Sequence, residues 1–307
     1  MRYAIQVNPM NPVEYLACCG VFEILARFDG DATSWWETEP QPNFWIESEV
    51  DEASLLSCLK EAFSDWGQWR SREGESHNDK FLTPTDVREN GEETEGDEEE
   101  AVEGISLGPQ FSMNDRVIKL NVDWWYETLT PEKQIKRKSA WKMYAGQQTA
   151  EKITRAMTDA AALLLKASTV NSLTELIKVS ADMTGRFGFD PRSSRNALDA
   201  GYSANDLKLP IATRPFAELL TTIAAQHFFP HRNQQSGGIT SSRGWIANDV
   251  FRYALWTPPL PITLARMAAI GVAVNKDDLI MLQAKRASRD KYSNFRMATM
   301  VAWETNN

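Results

Sequence analysis

Between residues 70 and 104 the chain is rich in Glu, Asp, Gly, Ser and Asn and almost empty of apolar side chains. Such a segment cannot bury enough surface to offset the entropy of ordering it, so it is expected to be an exposed, disordered acidic insertion. Any core must come from the segments on either side. The stretch also concentrates charge: Glu89 to Glu103 carries nine acids and no base. Residues 1–132 hold 9 Lys+Arg against 29 Asp+Glu, a net of −20, whereas residues 133–307 hold 24 against 13, a net of +11. The overall −9 argues against a nucleic-acid partner, but the split along the chain does not. It predicts an acidic N-terminal α+β part over 1–132, with the mobile insertion at about 70–104, and a basic α+β part over 133–307 with a nucleic-acid-binding face. The alternative is that folding mixes both halves into one neutral surface. The acidic segment itself is either a solvated loop or a mimic of nucleic acid that screens the basic face.

Local patterns place the elements. Tyr3 to Val7 alternates like a first strand. Asn11-Pro12-Val13-Glu14 starts a helix, with Asn11 as cap, Pro12 at the first helical position and Glu14 reaching back, and Gly30 suits its stop. Phe44 to Ser48 reads as a strand, Glu52 to Trp66 as an amphipathic helix, and Val117 to Val122 as a strand. Thr149 caps a helix running to about Ala167. Gly185 to Phe189 is expected as a strand and Ser193 to Ala200 as a short helix. Thr213-Arg214-Pro215 starts a helix through about His227, ended by Pro230. Phe251 to Trp256, Leu279 to Lys285 and Tyr292 to Trp303 alternate like strands of one antiparallel sheet. The fold class is α+β, with antiparallel sheets and packed helices in an irregular order, without repeats or βαβ alternation. The thiols Cys18, Cys19 and Cys58 lack a disulfide or metal spacing, which fits a reducing compartment and buried roles. No signal peptide or membrane span is evident, so a cytoplasmic protein with no membrane partner is expected.

Catalytic patterns are weak. His227 and His231 are four apart, yet Pro230 lies between them and no Glu follows His227, so the zinc-protease pattern fails. A ribonuclease would have to use His231 beside Arg232, or His227. Asp190 before Pro191 reads as a cap or turn, and Asp277-Asp278 as a turn. Gly237-Gly238 lacks the context of a phosphate loop. No active site, metal site or cofactor is expected.

Binding patterns are stronger. The run Gly185 to Arg232 sets Arg186, Arg192, Arg195 and Arg214 among Phe187, Phe189, Phe216, Phe228 and Phe229. Guanidinium forks beside aromatic rings can hold phosphates and stack on bases. Lys133 to Lys142 carries Lys136, Arg137 and Lys142 at helical spacing, as a basic patch or a solvated face. Asn233, Gln234 and Gln235 precede Ser236-Gly237-Gly238, where amides and close-approaching glycines suit groove acceptors, or simply a surface turn. Lys285, Arg286, Arg289 and Lys291 form a basic run placed to track a phosphate chain. For Trp124, Trp125 and Trp141, packing is the default role.

Four segments carry a resemblance: NPMNPVEYLACCGVFEIL, then NVDWW followed by AWKMYAGQQ, then GRFGFDPRSSRNALDAGYS, then TRPFAELLTTIAAQHFFP. In order and spacing, over nearly the whole chain, they resemble the compact large-subunit-like proteins of type I-U (also called I-G) CRISPR-Cas systems. The resemblance implies a non-catalytic subunit of a surveillance complex loaded with guide RNA. Such a subunit recognises the motif flanking target double-stranded DNA, opens the duplex and helps recruit a helicase-nuclease, beside other CRISPR effector subunits. Larger relatives carry a C-terminal helical bundle, whereas this chain ends in strand-like sequence, and the acidic insertion is not part of the pattern. On that reading Arg186, Arg192, Arg195 and Arg214 lie on phosphates, and the 233–238 loop reads the flanking motif. A guide-processing ribonuclease using His227 or His231, and a protein-only assembly scaffold, are the alternatives.

Overall fold

The computed structural model describes residues 1–69, 106–120, 122–123, 127–129, 135–137, 141, 143–144, 149–192, 210–228, 230–232, 239–242, 244–246, 250–272, 275–289 and 292–302. The acidic insertion, the expected helix 193–200 and the 233–238 loop lie outside the described residues. What is described is α+β, with six α-helices and several antiparallel sheets.

Strand β1 (Arg2–Gln6) leads to helix α1 (Pro12–Phe28). The Asn11 side chain accepts the Val13 N–H at 3.1 Å, and Pro12 occupies the first helical position, where no N–H is needed. Glu14 accepts from the Asn8 N–H at 2.6 Å, three residues before the cap. The helix stops at Asp29, in an extended conformation, rather than at Gly30. Strands β2 (Thr33–Glu37) and β3 (Asn43–Glu47) follow, then helix α2 (Glu52–Ser64), which a 3₁₀ turn, Trp66–Trp69, extends. β3 pairs antiparallel with both β1 and β2, so α1 is a crossover between strands running the same way, the split βαβ arrangement. Tyr3, Ile5, Ser34, Trp36, Phe44 and Ile46 are buried on one face of this sheet, while Arg2, Gln6, Glu37 and Glu47 are exposed.

The basic half supplies helices α3 (Ala150–Ala167), α4 (Leu173–Lys178), α5 (Pro215–Ala224) and α6 (Ile262–Ala269). Thr149 caps α3, accepting the Lys152 N–H at 3.2 Å. A second antiparallel sheet is built on the long strand Leu279–Arg289, which pairs with Val250–Trp256 on one side and with Tyr292–Phe295 and Thr299–Met300 on the other.

The boundary near residue 132 separates charge, not packing. The short strand Leu260–Pro261 adds to the edge of β2 as the fourth strand of the N-terminal sheet. Tyr15 of α1 lies between Trp36, with ring centres 5.4 Å apart, and Tyr253, at 4.3 Å. Its hydroxyl donates to the Ala254 carbonyl at 3.0 Å, and the Trp256 indole donates to the Ser34 carbonyl at 2.8 Å. One continuous apolar core therefore runs through both halves, as expected when neither small sheet could bury its own inner face.

Candidate nucleic-acid interface

The segment 185–192 decides where the predicted arginines point. It is not a strand. Gly188 has φ +91°, a conformation that disfavours side chains, and a Cβ there would stand 3.1 Å from the Ser293 carbonyl oxygen. The N–H groups of Phe189 and Asp190 go to the Glu218 carboxylate, at 3.1 and 3.0 Å, rather than to a ladder. Glu218 sits in the first turn of α5, where the helix dipole favours an acid.

Asp190 is the centre of a buried ionic cluster. Its Oδ2 accepts from Arg214 Nε at 2.6 Å, and its Oδ1 accepts from Asn11 Nδ2 at 3.2 Å and from the Arg192 N–H at 3.0 Å. Arg214 Nη1 reaches Glu14 Oε1 at 2.8 Å. Arg192 lies over the same two acids, with Nη2 3.2 Å from Glu14 Oε1 and Nε 3.7 Å from Asp190 Oδ1. Burial by itself would raise the Asp190 carboxyl. The adjoining Arg214, the Arg192 N–H and the Arg192 charge outweigh it and hold the group below the usual carboxylate range. Among the described residues Glu218 has no such partner for its second oxygen, and burial pushes it up to about 7.

The expectation that Arg214 lies on a phosphate is corrected by this geometry. Its side chain is 4 % exposed and committed to two carboxylates, whereas that of Arg192 is 53 % exposed and can offer its outer edge to an anion. Arg186 is half-buried, its guanidinium pKa lowered by burial and partly restored by Glu218. The expected stacking platform is also corrected. Phe187, Phe189, Phe216 and Phe228 are core residues, with Phe187 and Phe189 stacked on each other at 5.4 Å, so none of them offers a face to a base. Trp141 is core too, packed edge-on against Phe189, Phe251 and Phe295.

Two of the predicted basic runs do come together. Gly188 rests against Ser293, and the Ser293 N–H donates to the Met143 carbonyl at 2.9 Å. The Arg186–Arg192 segment therefore adjoins the hairpin whose strand carries Lys285 and Arg286. Lys285 is exposed and Arg286 half-buried, and Arg296, exposed beside them, donates its backbone N–H to the Lys285 carbonyl at 2.8 Å. Lys136 and Arg137 lie on the strand Ile135–Arg137, not on a helix, and Arg289 ends the long strand. Lys142, Arg195, Asn233, Gln234 and Gln235 lie outside the described residues. His227 falls in the 3₁₀ turn Ala225–Phe228 and His231 in the strand Pro230–Arg232.

Sequence reasoning missed Asn11, Glu14 and Glu218 as parts of this site. The available signal was an acid in the first turn of each of two helices that begin with proline, which is ordinarily read as capping alone. Among the described residues no group of three or more His, Cys, Asp or Glu could hold a metal ion, and no helix is long and apolar enough to cross a membrane. Comparisons of this chain with protein-family profiles, curated proteins and solved structures found no match.

Proposed function

We propose that this chain is a non-catalytic subunit of a type I CRISPR surveillance complex. Its basic face touches guide RNA and target DNA, and the subunit takes part in reading the flanking motif and in recruiting the helicase-nuclease. A cytoplasmic location goes with that reading. The observation that carries it is the convergence of the four segments on which the resemblance rests. The first contributes Asn11 and Glu14, the third Asp190 and Arg192, and the fourth Arg214 and Glu218, all to one buried cluster. The second contributes Trp141, packed on Phe189 directly beside it. The exposed edge of Arg192, with Lys285 and Arg296 nearby in the fold, supplies cations for a phosphate chain, and the charge of the basic half favours it.

The test is binding of labelled duplex DNA to the guide-loaded complex with and without this chain, across flanking sequences and salt. A motif-dependent, salt-sensitive gain on adding the chain is expected, and Arg192→Ala should lower the salt slope by about one unit for all sequences alike. No gain from the chain overturns the reading. Metal-free, site-specific cleavage of precursor RNA, abolished by His227→Ala or His231→Ala, would replace it with a processing nuclease.

A further inference from the structure

Glu218 is buried completely, yet only one of its oxygens is used. Oε1 accepts two consecutive N–H groups of the basic segment, while Oε2 is buried with no hydrogen-bond partner among the described residues. A negative oxygen without a donor is costly in an apolar interior, and a proton on Oε2 removes that cost while Oε1 keeps both N–H bonds. Arg186, half-buried, lies at the start of the same segment.

The other charged groups around it among the described residues engage one another. Arg214, the residue just before α5, is held by Asp190 and by Glu14 of α1, and Arg192 lies over the same two acids. The inward side chains of α3, which include Ile153, Thr154 and Met157, are uncharged, as are those of α4. Among the described residues, Arg186 is the cation whose charge bears on the Glu218 carboxyl. We propose that Glu218 is the charge switch of this basic face: ionised it cancels Arg186, and as the neutral acid it leaves the face one positive charge stronger toward a nucleic-acid backbone. This rests on reading the face as a phosphate-binding surface.

Burial is the largest cause pushing the Glu218 carboxyl up to about 7; the Asp190 N–H opposes it, the Asp190 charge adds to it and Arg186 opposes it. The switch therefore operates near neutral pH. Linkage is reciprocal, so a bound polyanion draws a proton onto Glu218.

The experiment measures the affinity of the full chain for a labelled mixed-sequence RNA oligonucleotide at fixed ionic strength, from about pH 8 down to about pH 6, bracketing the Glu218 midpoint. Wild type should tighten by about five-fold as pH falls. Glu218→Gln, which keeps the carbonyl that accepts both N–H groups, should hold the tight value throughout, and Arg186→Ala should hold the weak one. Calorimetry of the wild type in two buffers of different ionisation enthalpy should show proton uptake on binding, diminished in Arg186→Ala. A Glu218→Gln variant with the full wild-type pH dependence, which the histidines would then own, overturns the switch. If that variant does not fold, wild-type binding without proton uptake, or uptake unchanged in Arg186→Ala, overturns it equally. RNA binding absent at every pH removes the phosphate-binding reading itself, and the switch with it.

Discussion

Gly20 of α1 lies directly against the main-chain carbonyl of Leu220 on α5, so close that a Cβ at Gly20 would overlap the oxygen. The two helices that carry Glu14 and Arg214 thus touch backbone to backbone, and the ionic cluster at their N-terminal ends depends on that approach.

Gly20→Ala should therefore destabilise the protein by about 1–3 kcal/mol, because the neighbour is main chain and cannot swing aside. Gly30→Ala, where nothing stands within 4 Å of a new Cβ, should stay within about 0.5 kcal/mol of wild type. Denaturant midpoints for the two variants check this, and equal effects would mean the helices do not meet at Gly20.

Removal of Arg214 leaves Glu14 and Asp190 buried beside a single, half-exposed Arg192. Arg214→Ala should cost about 3–5 kcal/mol, and Arg214→Lys should rescue little, since one ammonium cannot replace a guanidinium whose Nε and Nη1 serve different acids. Arg192→Ala should change stability far less, its pairs being screened by solvent. Urea unfolding of the three variants at neutral pH separates them.

Two carboxyls give stability opposite pH dependences. Glu218 has its folded pKa raised from 4.5 to about 7, so its contribution is full below about 4.5 and is lost as pH rises through about 7, by up to about 3 kcal/mol. Asp190 has its folded pKa lowered from 3.8, so its contribution is present above that value and is lost as pH falls below it. Chemical denaturation across pH should show wild type losing stability between about pH 5 and about pH 8, while Glu218→Gln loses less. Parallel curves for the two proteins would show that Glu218 does not titrate in this range.

All three cysteines are buried, and burial raises each thiol, Cys19 to about 12 and Cys58 to about 11. Thiolate is the reactive form, so a thiol reagent at mildly alkaline pH should label none of them in the folded protein and all 3 in denaturant. Rapid labelling of the native chain would mean that α1 opens readily.

The elements read most directly from sequence are those with local causes. The Asn11-Pro12 start, the Thr149 cap and the alternating strands around Phe251 and Leu279 all stand where their patterns place them. Gly185 to Phe189 failed as a strand because its hydrogen bonds are made to Glu218, on a helix that begins about 30 residues later, and because Gly188 takes a positive φ. The same arginine–aromatic run that suggested phosphates and bases turned out to face inward for Arg214 and four phenylalanines. Composition reports which side chains could bind, and burial decides which of them still can.

By itself the sequence determined the α+β class, the helix starts and the separation of acidic from basic charge, since each follows from hydrogen bonds and periodicities spanning a few residues. Only the tertiary structure decided that Arg214 meets Glu14, 200 positions away, rather than solvent, and that Arg192 and Lys285 belong to adjoining segments. A guanidinium binds a carboxylate or a phosphate by the same forked geometry. Which of the two it holds depends on the groups folding brings within reach and on the water folding removes.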